Sequence, residues 1–170
     1  SGAGFKEILA MPESAFVVGH LGRLAPEKNL EYLCKAVLKF MQNEPRAHFL
    51  LVGRGPSEHV LAQVFEDAGL TPRLHRLGFL AQPFLSSAFQ AMDVFVFSSQ
   101  SETQGMVLTE AMALSVPVIA LDAPGVREVV KDRKNGRLLS AKTHSDDFAN
   151  ILHWYINLPF QTQHKYGQAA

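Results

Sequence analysis

Two carboxylates, Glu102 and Glu110, stand on either side of Gly105 in the stretch Ser98–Ala123, S-S-Q-S-E-T-Q-G-M-V-L-T-E-A-M-A-L-S-V-P-V-I-A-L-D-A. Before the stretch lies Val94-Phe95-Val96-Phe97, with the composition of a buried strand. After Gly105 the apolar pattern is helical, so the unit reads strand, polar loop, glycine, helix, strand. A loop that empties onto a helix N-terminus suits an anion, because unpaired N–H groups and the helix dipole point at it. A carboxylate accepts hydrogen bonds and donates none. Two of them beside an anion suit a ligand with hydroxyls next to phosphates, and a nucleotide sugar is such a ligand. Spacing alone leaves the plainer alternative open: a solvated loop acid at 102 and a solvated helix acid at 110.

Arg23 and Lys28 follow the first apolar run and its closing Gly22. A guanidinium can fork onto two phosphate oxygens, and an ammonium acts as a point charge. Neither G-x-G-x-x-G nor G-x-x-x-x-G-K-[ST] occurs, and Gly19-x-x-Gly22 lies partly inside the strand. Phosphate binding by side chains plus the helix after Gly105 is the better reading. His20 ends that first run and is expected to make a backbone contact rather than to move protons. Arg54 reads as a solvated loop residue, with a donor contact as the alternative. Arg73, His75 and Arg76 read as surface, and Trp154 and Tyr155 as docking either on this domain or on another.

Alternating strands and helices must place these groups. Strands are expected at Phe16–Gly22, Ala47–Val52, Leu74–Leu77, Val94–Phe97, Pro117–Leu121 and Gly136–Leu139. Helices are expected at Leu30–Met41 with Asn29 as N-cap, Ser57–Ala68 with Gly69 as C-cap, Pro83–Met92, Met106–Leu114, Val126–Lys131 and Asp146–Leu158. Such alternation predicts an α/β, doubly wound, Rossmann-like parallel sheet of about six strands with helices on both faces. With strand order 3-2-1-4-5-6 the reversal falls between the first and fourth strands, and ligands bind beyond the strand C-termini at such a reversal. That crevice receives Gly22, Arg23 and Lys28 from one loop and Glu102 and Gly105 from the other.

The 170 residues are enough for one domain, and 16 basic against 16 acidic side chains give no basic excess for nucleic acid. No apolar run is long enough for a membrane span, and no signal peptide is visible. A lone Cys34 inside a helical pattern points to a core residue in a reducing, cytoplasmic setting. Ser1-Gly2-Ala3-Gly4 resembles a cloning scar, so residues 1–14 are set aside as a tag remnant and lead-in. The domain is expected over 15–158, with 159–170 as a polar tail.

Four motifs in order carry a resemblance. They are Gly22-Arg23-Leu24 with Glu27-Lys28-Asn29, then Val52-Gly53-Arg54-Gly55-Pro56, the E-x7-E segment Glu102 to Glu110, and Pro117-Val118-Ile119-Ala120 through Gly125-Val126-Arg127-Glu128. Over roughly Phe16 to Leu158 the chain resembles the C-terminal, donor-binding domain of GT-B fold, retaining glycosyltransferases of family 4 (group 1). The resemblance implies that Arg23 and Lys28 bind the donor diphosphate and stabilise the leaving group. It implies that Glu102 contacts the transferred sugar, with Arg23, Lys28 and Glu102 as the catalytic set, and that Glu110 bonds the ribose. Gly22, Gly105, Met106 and Val107 would meet the pyrophosphate or sugar, Gly78, Phe79 and Leu80 would lie against the base, and Arg54 would be a further donor contact. No metal or cofactor is implied, and Asp146-Asp147 reads as acids opening a helix rather than a metal pair. The donor would be a UDP-sugar by best guess. A separate N-terminal domain would hold the acceptor and any membrane contact, so this segment alone would bind nucleotide weakly and transfer nothing. The alternatives are another GT-B enzyme, an epimerase or phosphorylase, and a non-catalytic nucleotide-sugar binding module.

Overall fold

Runs rich in valine, leucine and phenylalanine form six strands: β1 Phe16–Leu21, β2 Ala47–Val52, β3 Leu74–Leu77, β4 Val94–Phe97, β5 Val118–Leu121 and β6 Gly136–Leu139. The computed structural model describes residues 1–100 and 105–169. All strands pair in parallel, in the order β3-β2-β1-β4-β5-β6. Eight helices are described: α1 Gly2–Ile8, α2 Leu30–Gln42, α3 Glu58–Asp67, α4 Phe84–Ala91, α5 Gly105–Ala113, α6 Pro124–Arg127, α7 Ser145–Ile156 and α8 Phe160–Ala169. The expected strand order is the observed one, and the long elements begin and end within a few residues of expectation.

Successive strand side chains point to opposite faces, and here they sort into two cores. Val18, Phe49, Leu51, Val96 and Ile119 pack with α2, α3 and α7. Val17, Leu50, Val52, Phe95, Phe97 and Val118 pack with α1, α4, α5 and α6. Burial on both faces explains the continuous apolar runs.

The chain ends depart from expectation. Residues 1–14, set aside as a tag remnant and lead-in, contribute α1, which packs on α4 and buries Phe5 in the second core, where Met11 just beyond the helix joins it. Residues 159–170, read as a tail, contribute α8. Its Tyr166 ring lies 6.1 Å from Trp154 and 6.2 Å from Tyr155, and a Cβ on its Gly167 would meet the Ser115 carbonyl oxygen at 2.5 Å. Trp154 and Tyr155 therefore dock within this domain, with the Arg137 guanidinium 4.9 Å above Trp154.

Two surface assignments also fail. Arg73 donates to the carbonyls of Glu44 and Ala47 at 3.0 Å and of Met41 at 3.1 Å, tying the end of α2 to the start of β2. His75 stacks on His48, with Nε2 3.0 Å from Nδ1. Burial lowers both histidines' pKa, that of His48 to about 4 with the charges of His75, Arg73 and Lys6 adding.

Candidate functional site

The first wall of the crevice is built from backbone. β1 pairs with β2 at every position from Phe16 to Leu21. The ladder then runs on into the loops, with the Gly22 N–H donating to Val52 at 3.0 Å and the Leu24 N–H to Arg54 at 2.8 Å. Gly22 has φ +153° and Gly53 φ +133°, conformations that side-chain-bearing residues rarely adopt. A Cβ on Gly53 would collide with the Gly22 carbonyl oxygen. The two glycine-bearing motifs are thus halves of one close packing, which holds Arg23 at its crest.

A cavity of about 150 Å³ opens on this wall, lined by Leu21, Gly22, Arg23, Val52, Gly53, Phe79, Leu80 and Leu85. It brings together Gly22, Arg23, Phe79 and Leu80, expected at the site from sequence. It adds Gly53 and Leu85, for which the sequence offered no assignment beyond the glycine motif itself. Phe79, at the rim of this pocket, is 79% exposed. Arg54 and Gly78 sit beside each other, and a Cβ on Gly78 would meet the Arg54 guanidinium at 2.6 Å. They line a different, polar cavity of about 440 Å³ with Glu58, Glu66 and Arg76. The structure therefore separates Arg54 from the Arg23 pocket: the backbone turns at Gly53, and Arg54 falls on the β3 side. A larger cavity, about 520 Å³, lies far from this crevice between α1 and α4. Two of its charged groups are turned onto the backbone, with Lys6 donating to the Ala15 carbonyl and Asp93 accepting from the Val17 N–H.

Arg23 has an exposed side chain whose Nε is 3.7 Å from Glu27 Oε1. Such a solvated pair holds weakly, so an anion can draw the guanidinium away. Lys28, half-buried, closes the 3-10 turn Pro26–Lys28. Its charge reaches the buried His20. His20 Nδ1 lies 2.9 Å from the Val96 carbonyl oxygen, so Nδ1 carries the proton and Nε2 the lone pair. Its ring stacks on Phe95 at 5.7 Å. Burial, with a smaller contribution from Lys28, pushes its pKa down to about 4, against the opposing pull of the Val96 bond. His20 is neutral at physiological pH and makes the expected backbone contact.

Asn29 departs from its expected role. It precedes α2 in the left-handed region, φ 57° and ψ 38°, and its side chain makes no cap bond. Nδ2 donates instead to the Ser98 carbonyl at 3.1 Å, and Ser98 Oγ donates back to the Asn29 carbonyl at 2.9 Å. In the sequence Ser98 marks only the start of a polar loop.

On the far wall α5 begins at Gly105. Met106 is exposed, Val107 half-buried, and Glu110 exposed in the second turn. Glu102 lies outside the described residues. Among the described residues no three His, Cys, Asp or Glu side chains converge as a metal would require, and no helix is long and apolar enough to cross a membrane.

The family model described as "Glycosyl transferases group 1" matches residues 4–170. A GDP-mannose-dependent alpha-mannosyltransferase of Mycolicibacterium smegmatis is 36% identical over 159 residues, which is 94% of this chain and 38% of the relative. The sulfoquinovosyl transferase SQD2 of Arabidopsis thaliana is 37% identical over 126 residues, 74% of this chain and 23% of the relative. Among solved structures, the Anabaena protein HepE in complex with UDP-glucose superposes with a TM-score of 0.83 at 30% identity, over 99% of this chain and 46% of that one. The C-terminal domain of a group 1 family protein, LpcC of Francisella tularensis, gives a TM-score of 0.85 at 24% identity over 99% of this chain and 88% of that one. The chain spans between about a quarter and a third of the first curated relatives it matches, 33%, 23% and 31% of their lengths.

Proposed function

Because this chain belongs to the group 1 glycosyl transferases, we propose that it is the donor-binding domain of a GT-B enzyme, holding a UDP-sugar for retaining transfer to an acceptor on a second domain. The observation that carries the reading is the wall where Arg23 stands beside a small apolar pocket floored by Gly22 and Gly53 and edged by Phe79 and Leu80. A planar base fits against Phe79 and Leu80, with the diphosphate reaching Arg23 and then Lys28.

In this reading the chemistry is leaving-group stabilisation. As the sugar–phosphate bond breaks, negative charge grows on the diphosphate, and cations already in place lower the barrier most. Arg23 and Lys28 supply that charge, joined by the N–H groups at the start of α5 around Gly105, Met106 and Val107. Glu102 reads hydroxyls of the transferred sugar and Glu110 those of the ribose. Neither metal nor cofactor takes part, and the reaction fits a cytoplasmic enzyme whose membrane contacts, where present, lie on the second domain.

UDP is the proposed nucleotide, supported by HepE, which binds UDP-glucose at 30% identity. A GDP-sugar is the second reading, favoured by the mannosyltransferase that is 36% identical. Calorimetric titration of this chain with UDP, GDP and ADP decides between them. UDP is expected to bind most tightly; tighter GDP binding selects the second reading, and no heat with any of the three at millimolar concentration removes both.

A further inference from the structure

Sheet order reverses between β1 and β4, and these strands share only two paired positions, Val18 with Val94 and Gly19 with Phe95. Past them the strands diverge, and side chains take over the connection. His20 reaches Val96. Further up, Asn29 and Ser98 exchange the bonds of 3.1 and 2.9 Å described above. Both distances are those of ordinary hydrogen bonds. Ser98 is wholly buried at 0% exposure and Asn29 half-buried, so the Ser98 end of the contact is closed to water.

The way Asn29 is used is unusual for its position. An asparagine before a helix ordinarily turns its side chain onto the first helical N–H groups. Here the amide is withheld from α2 and given to the end of β4. The backbone also sits in the left-handed region, which asparagine tolerates better than most residues. Both features follow if the residue's task is to fix the turn that precedes it. That turn ends in Lys28. On the other partner, Glu102 stands four residues beyond Ser98 in sequence.

We propose that Asn29 and Ser98 form a clamp across the strand reversal that positions Lys28 for the donor diphosphate, so that they are positioning residues rather than donor contacts. The inference rests on the reading of this crevice as a nucleotide-diphosphate-sugar site. Held by both bonds at Asn29, the end of the turn that carries Lys28 keeps a fixed place relative to the end of β4, and binding does not have to order it. Asn29→Gly keeps the left-handed backbone while deleting the amide, and Ser98→Ala deletes the hydroxyl while keeping the carbonyl.

Each variant is expected to weaken UDP about 3- to 10-fold, the size of one lost hydrogen bond acting through a phosphate contact, and to leave uridine binding unchanged. Combined with Lys28→Ala, neither should cost anything more, because the group they position is gone. A full additional loss in the Lys28→Ala background, or equal losses for UDP and uridine, overturns the clamp. A second readout needs no ligand: the nitrogen-15 signal of the Lys28 ammonium, which should show greater mobility in both variants. An unchanged Lys28 signal overturns the clamp whether or not UDP binds. Wild-type chain that binds no nucleotide overturns the donor reading alone, and the Lys28 signal then decides the clamp by itself.

Discussion

The two flanks of β1 are built in opposite ways. Towards β2 the backbone ladder covers the whole strand and continues into the loops, where glycines bring Gly22 and Gly53 into contact. Towards β4 it covers two positions, and the link beyond them is made by His20, Asn29 and Ser98. A parallel sheet must open somewhere to admit a ligand, and it opens where its order reverses. The closed flank fixes Arg23 through main-chain geometry, which a substitution disturbs where it adds bulk at a glycine. The open flank fixes Lys28 through a few polar side chains, each of which a single substitution removes.

The largest expected effect removes one cation from each flank. Arg23→Ala with Lys28→Ala should weaken UDP by about 100-fold or more, since each charged contact is worth about 1.5–3 kcal/mol. A double variant that still binds within a few-fold of wild type by calorimetry breaks the account of the site.

Next is Gly53→Ala on the closed flank. The added Cβ meets the Gly22 carbonyl oxygen at a positive φ, so about 3 kcal/mol of stability should be lost. For a chain of this size that is a fall in Tm of about 10 °C by calorimetric melting. Retention of the wild-type Tm would mean that this backbone contact is not tight.

The open flank has a pH signature. The folded-state pKa of His20 is about 4, below its ordinary 6.5. Between those values the unfolded chain binds the extra proton, so stability falls as pH drops from about 6.5 and the loss levels off below about 4. The full span is on the order of 3 kcal/mol. His20→Gln should flatten the denaturant-derived stability curve across that window by close to one proton, leaving the slope due to His48, whose pKa is also lowered to about 4, and to His75, whose pKa is lowered as well. An unaltered slope in the variant would remove His20 as its source.

The smallest effect separates the two acids. Glu102→Ala should weaken a UDP-sugar by about tenfold while leaving UDP nearly unchanged, whereas Glu110→Ala should weaken both by a similar factor. Equal effects of Glu102→Ala on both ligands would contradict its assignment to the sugar.

Much of this was legible in the sequence for a physical reason. Strands buried on both faces must be apolar throughout, so Phe16–Leu21, Ala47–Val52 and Val94–Phe97 announce themselves. Their alternation with amphipathic helices such as Leu30–Gln42 gives the winding and hence the crevice. Short or polar helices carry no such signal. α1 has seven residues, two of them glycine, and α8 buries only Gly167 fully. The role of Asn29 depended on a competition that sequence does not display, between capping α2 and reaching Ser98 across 69 residues of chain. The His48–His75 contact arises only once the β2–β3 register is set. Gly53 was visible as a motif, but its contact with Gly22 belongs to the folded loop.

In the proposed reading a nucleotide diphosphate bridges the two flanks of β1. The most direct test is a backbone NMR map of this chain titrated with UDP. Shifts are expected at Gly22, Arg23, Gly53, Phe79 and Leu80 on the closed flank, together with Lys28 and Asn29 on the open one. Shifts confined to the α1–α4 cavity around Lys6 and Asp93, or none at all, would contradict it.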